Sequence, residues 1–212
     1  MKQYILLDWD GNLAQTLHIW LDACRIGLQN QGVTKSDEEI AASFGQFSHF
    51  MKEWGVPDIQ KAIDDADIAA RKLLPDVELY PDVLLVLETL KKQGKKLALI
   101  TTSPLINLEQ QLIKHALHDM FDAVITAEDT PVHKPNPEPL ELGLKKIGGN
   151  KAEAVMIGDS DKDLGAAQNA GIDSILFYPA EHKKFYKLED LHQHNPTHVV
   201  TSFKDIIELV NS

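Results

Sequence analysis

Asp8 and Asp10 stand two residues apart directly after the apolar run Tyr4-Ile5-Leu6-Leu7, and Gly11 follows them. A glycine there permits a tight turn, so both carboxylates can face one pocket once the chain leaves the pleat. One carboxylate can attack phosphorus to give an acyl phosphate, while the other protonates the leaving oxygen and later deprotonates water. The pair taken alone also fits two acids in a solvated turn or a helix cap.

Three further clusters follow apolar runs. Thr101-Thr102-Ser103 precedes Pro104 and offers hydroxyls and backbone amides suited to a phosphoryl group, although helix caps look the same. Lys134 lies in His133-Lys134-Pro135-Asn136-Pro137, where flanking prolines restrict the backbone and can hold an ammonium over phosphate. Gly158-Asp159-Ser160-Asp161-Lys162-Asp163 offers hard oxygen ligands of the kind magnesium takes. Asp159 fits as the ligand, Asp163 comes one helical turn later as its support, and Asp161 points to solvent. Calcium binding or capping competes for this cluster, but the spacing of a calcium-binding helical loop is missing.

Parallel strands gather ligands outside their carboxyl ends, so the elements that position these clusters matter. Tyr4–Leu7, Leu97–Ile100, Ala123–Thr126, Ala154–Ile157 and Ser174–Phe177 read as buried strands with little polar alternation. Helices are expected between them at Asp82–Gln93, Leu105–His115, Pro137–Ile147 and Asp163–Ala170, with another at Phe203–Val210. The alternation predicts a doubly wound α/β core with a parallel, Rossmann-like sheet. From Thr16 to Leu74 the spacing is helical instead. Leu17, Trp20, Leu21, Cys24 and Leu28 recur at threes and fours, and Ser36 with Glu39 makes a capping box. The expected organisation is a core of residues 1–13 and 81–212 with a helical insertion over 14–80.

The 212 residues suit one core plus a modest second module, and 43% hydrophobic with 25% charged residues is ordinary globular composition. A net charge of −11 repels nucleic acid and anionic membranes but leaves room for a local site that takes a small anion. The single cysteine, Cys24, has no partner within the chain and reads as a packed helix thiol. The apolar stretch before Asp8 is too short for a signal peptide or a span, so the expected location is cytoplasmic.

In this order, the four clusters resemble the motifs of the haloacid dehalogenase-like superfamily in its helical-cap branch. Phosphoglycolate phosphatase-like and β-phosphoglucomutase-like proteins share the layout. The resemblance runs from Tyr4 to about Phe177 and implies a phosphoric monoester hydrolase acting on a small phosphorylated metabolite, with a sugar phosphomutase or a non-catalytic phosphate-binding regulator as the other readings. It implies that Asp8 is the nucleophile and Asp10 the general acid and base, and that Thr101, Thr102 and Lys134 hold phosphate. Asp8, the Asp10 carbonyl and Asp159 would bind Mg2+, with Asp163 supporting them. The cap would close over the phosphate, and Gly45, Gln46 and Phe47 sit where related caps place a specificity loop. Two departures stand out. Asn12 replaces the usual threonine or valine, with an expected effect on how Asp10 is oriented, and Gln15-Thr16 replaces an aspartate-serine pair.

Overall fold

In a computed structural model that describes residues 1–44 and 46–212, β1 (Tyr4–Leu7) lies near the middle of a six-stranded parallel sheet of order β3-β2-β1-β4-β5-β6. The other strands are β2 (Lys96–Ile100), β3 (Ala123–Ile125), β4 (Ala154–Gly158), β5 (Asp173–Phe177) and β6 (His198–Val200). The chain winds outward from β1 in one direction and then from β4 in the other, which leaves the switch point between β1 and β4. That is the crevice where an open α/β sheet receives its ligand.

Period-two side chains divide each strand between two covered faces. Ile5, Leu7, Leu97, Leu99, Val155 and Ile157 pack in one cluster with helices α5 (Val83–Lys92) and α6 (Leu105–Lys114). Leu6, Ala98, Ile100 and Met156 pack in another with α7 (Glu138–Lys146) and α8 (Asp161–Ala170). Burial on both faces is why the strands read as unbroken apolar runs. The expected fold class is the observed one.

Between β1 and β2 the chain forms α1 (Leu17–Asn30), α2 (Asp37–Ala42), α3 (Phe47–Glu53) and α4 (Ile59–Leu73). The capping box at Ser36 is present: Glu39 N donates to Ser36 Oγ at 3.2 Å and Ser36 N to Glu39 Oε2 at 2.9 Å. Gly27 lets α1 press on α4, since a Cβ there would collide with the Ala62 carbonyl. These helices own a separate core that includes Leu21, Cys24, Leu28, Ile40 and Met51. Yet Ile19 and Ala23 of α1 and Ala66, Ala69 and Ala70 of α4 join the main sheet cluster. The helical layer is thus seated on the sheet domain by the first half of α1 and the last half of α4.

Among the strands and α-helices outside the helical insertion, β6 and α9 (Leu188–His192) have no counterpart in the sequence reading. Each is short, and within β6 only Val200 is buried, so neither produces a period to detect. The segment expected as one final helix is a 3-10 turn, Phe203–Asp205, followed by α10 (Ile206–Leu209). Among the described residues, no helix is long and apolar enough to cross a membrane.

Candidate active site

The β-ladder carries the loaded residues into place. Asp8 N donates to Ile157 O at 3.0 Å and Thr101 N to Ile125 O at 2.9 Å, so each strand's order extends one residue into the site. The turn after Asp10 then depends on Gly11, which has φ +74° and whose added Cβ would overlap the Asp159 carboxylate. Gly158 meets the same constraint, since a Cβ there would strike the Asp163 side chain. Only glycine fits this close approach.

Lys134 is the hub. Its ammonium, with the side chain 3% exposed, donates to Asp8 Oδ1 at 2.7 Å, Asp163 Oδ1 at 2.6 Å and Ile100 O at 2.8 Å. Burial works against that charge, but Asp163 and Asp8 outweigh it and hold the lysine above its ordinary range. Asp163 Oδ2 in turn accepts from Ser160 Oγ at 2.6 Å and Ser160 N at 3.2 Å. Asp163 thus ties Lys134 to the start of α8.

Asp8, Asp159 and Asp163 present one oxygen each within 4.8 Å of one another. Burial and the repulsion of Asp163 push the Asp8 carboxyl up to about 7 despite Lys134. Burial, Asp163 and Asp8 likewise raise Asp159 well above the carboxylate range. One ammonium does not neutralise this crowd, and Asp159 Oδ2 is buried with no hydrogen-bond partner. A hard divalent cation supplies the missing charge and takes carboxylate oxygens of this kind, so the residues fit a metal.

Behind Asp159, His182 is fully buried, with Nδ1 4.0 Å from Asp159 Oδ2 and Nε2 2.8 Å from the Tyr80 hydroxyl. Burial lowers the imidazole to about 4, so it is neutral at pH 7. A lone pair on Nδ1 would face the carboxylate unfavourably. The proton therefore belongs on Nδ1, and Tyr80 donates to Nε2.

Asp10 is held apart from the metal-type cluster. Trp20 Nε1 donates to its Oδ1 at 2.9 Å and Ser103 Oγ to its Oδ2 at 2.6 Å. Neither partner is predictable from local pattern, because Trp20 comes from α1 and Ser103 from beyond β2. Thr101 is buried, with its Oγ1 accepting from Ser103 N at 3.0 Å, whereas Thr102 is exposed and lines the cavity above Asp8.

Asn12 does not touch Asp10 in the way expected of it. Its Nδ2 donates to the Asp8 carbonyl at 3.0 Å, which fastens the backbone at Asp8 instead. Thr16 accepts from Gly11 N at 3.2 Å and so also serves the turn. Phe47 lines the cavity, but Gln46 is exposed and outside the lining; Gly45 lies outside the described residues. Gln46 stands at the start of α3. Trp9 is a core residue, fully buried with Nε1 on Gln111 Oε1 at 2.8 Å.

Residues 5–177 match the family model described as haloacid dehalogenase-like hydrolase. The chain belongs to this family. It is 36% identical to a phosphoglycolate phosphatase of Psychrobacter arcticus over 223 aligned residues, covering 98% of this chain and 95% of that one. Against pyrophosphatase PpaX of Halalkalibacterium halodurans it is 33% identical, but over 63% of this chain and 60% of that protein. The fold of this haloacid dehalogenase-like hydrolase is also that of a haloacid dehalogenase-like family protein of Streptococcus pneumoniae, with a TM-score of 0.84 at 20% identity and 98% of each chain covered.

Proposed function

We propose that the protein is a magnesium-dependent phosphatase that hydrolyses a small phosphomonoester through an aspartyl phosphate on Asp8. The observation that carries this reading is that Asp8, gripped by Lys134, and Asp10, gripped by Trp20 and Ser103, open on one cavity. The names of the relatives, a phosphoglycolate phosphatase and a pyrophosphatase, support phosphoryl-bond hydrolysis.

Asp8, Asp159 and the Asp10 carbonyl would hold the Mg2+, which when bound offsets the charge of the phosphoryl oxygens beside the carboxylates. Lys134 and the hydroxyls and amides of Thr101 and Thr102 receive the phosphoryl group. A carboxylate oxygen of Asp8 attacks phosphorus, and the bond to the ester oxygen breaks as Asp10 delivers a proton to it, releasing the alcohol. Asp10, now a carboxylate, takes a proton from water. The resulting hydroxide attacks phosphorus, inorganic phosphate leaves, and Asp8 is restored. Asp163 keeps Lys134 charged and in place throughout.

Phosphate release from a panel of phosphomonoesters with Mg2+ tests the proposal. The expected result is turnover by the wild type and none by Asp8→Asn, whose circular dichroism matches the wild type. Equal turnover by that variant would remove Asp8 from its role.

A further inference from the structure

The cavity over Asp8 and Asp10 has a volume of about 250 Å³. That is just below the usual range of ligand sites, which run about 300–1,000 Å³. Away from the carboxylates its wall is Leu17, Trp20 and Cys24 from α1, Phe44 and Phe47 from either side of the α2–α3 turn, and Tyr186 from the segment after β5. These six side chains carry no fixed charge, while Thr102, Ser160, Asp161 and Lys162 complete the described lining. The single polar group of the Trp20 ring, its N–H, is spent on Asp10. Burial, with Asp67 adding repulsion, pushes the Cys24 thiol up to about 12, so it stays protonated. Burial and then Asp159 hold the Tyr186 hydroxyl above its ordinary range, so it stays neutral too.

Among the described lining residues Lys162 is the only cation, against Asp8, Asp10, Asp159 and Asp161. Lys134 lies beneath, engaged by Asp8 and Asp163. A substrate anchored by its phosphate over Asp8 extends its other end toward the rings. A second anion there would lose water against the rings and meet Lys162 alone, beside the four lining carboxylates, which is costly. An apolar face would instead bury against the rings.

The rings are also fixed as a set. Phe185, next to Tyr186, packs on Phe44 with centroids 5.3 Å apart, and Lys184 reaches Asp37 of α2 at 3.4 Å. The sheet domain and the helical layer thus build one wall together.

Resting on the phosphatase reading, we propose that the group this site accepts beyond the phosphate is a neutral alcohol with an apolar, ring-sized face, in preference to the anionic glycolate or phosphate that the relatives' names carry. Specificity then comes from Phe44, Phe47 and Tyr186, and it disfavours phosphoglycolate and pyrophosphate.

Steady-state kcat/KM for benzyl phosphate, methyl phosphate, phosphoglycolate and pyrophosphate, measured on the wild type and on Phe47→Ala, provides the test. Calorimetric Kd values for the same compounds on Asp8→Asn with Mg2+ supply a readout that does not require turnover. Benzyl phosphate is expected to exceed phosphoglycolate and pyrophosphate at least about tenfold in both measurements, and Phe47→Ala to lower the benzyl-to-methyl ratio about tenfold, the scale of a lost apolar pocket contact. Hydrolysis with phosphoglycolate or pyrophosphate preferred would overturn the assignment while leaving the phosphatase reading in place. Tighter binding of benzyl phosphate with no hydrolysis of any compound would uphold it and overturn the phosphatase reading. Tighter binding of an anionic compound, with or without hydrolysis, would sink it.

Discussion

At the scale of single residues, the two catalytic candidates are held in unlike ways. Asp8 is crowded by acids and tied to an ammonium, whereas Asp10 accepts from an indole N–H and a hydroxyl. Trp20→Phe keeps a ring in the wall and removes one donor from Asp10. Hydrogen bonds to charged groups are worth about 1.5–3 kcal/mol, so a fall in kcat of about tenfold or more is expected with a smaller change in KM. Initial-rate kinetics decide it: an unchanged kcat would mean that Trp20 does not position Asp10. The carboxylates were legible in the sequence because they follow apolar runs, and parallel strands deliver such positions to one edge; Lys134 was legible from the prolines around it instead. Trp20, Tyr80 and His182 were not, and Ser103, read with Thr101 and Thr102 as a phosphate donor, was not legible as a partner of Asp10. Their contacts join segments 10, 93 and 102 residues apart, and no local spacing records them.

At the scale of elements, the strands emerged within a residue or so of their expected limits because burial on both faces leaves an uninterrupted apolar run. β6 escaped because an edge strand of three residues carries no such run. The opposite half of the sheet is secured by a polar device. Asp122, just ahead of β3, accepts from Leu97 N at 2.9 Å, Lys96 Nζ at 2.9 Å and Lys91 Nζ at 3.0 Å. Burial alone would raise its pKa, but the Leu97 N–H and the two lysines outweigh it and bring it down to about 2. A carboxyl depressed on folding stabilises the fold above its unfolded pKa, and this contribution fades as pH falls through the folded value. Asp122→Asn should therefore cost about 2 kcal/mol at pH 7 and little near pH 2. Urea midpoints of both proteins across that range measure it, and a pH-independent gap would assign the loss to packing instead.

At the scale of the whole molecule, a chain of net charge −11 gathers Asp8, Asp159 and Asp163 at the switch point of its sheet, with Lys134 as their shared buried cation. Without a further positive charge this arrangement opposes folding, since burial and mutual repulsion raise both Asp8 and Asp159. A divalent cation that binds the folded chain alone should relieve the cost and stabilise the molecule by mass action. At a free Mg2+ concentration of 100 Kd the gain is about 2.7 kcal/mol. For a domain of this size each kcal/mol moves Tm by about 2–4 °C, so a rise of about 5–10 °C is expected over the protein in a chelator at matched ionic strength. Asp159→Asn removes a proposed ligand whose Oδ2 has no protein partner to lose, and it should abolish most of the rise while leaving the helix signal intact. Calorimetric scans of the two proteins with and without Mg2+ decide the matter. An equal rise in both would place the cation elsewhere on this acidic surface, and no rise in the wild type would leave the buried carboxylates to be balanced by protons alone.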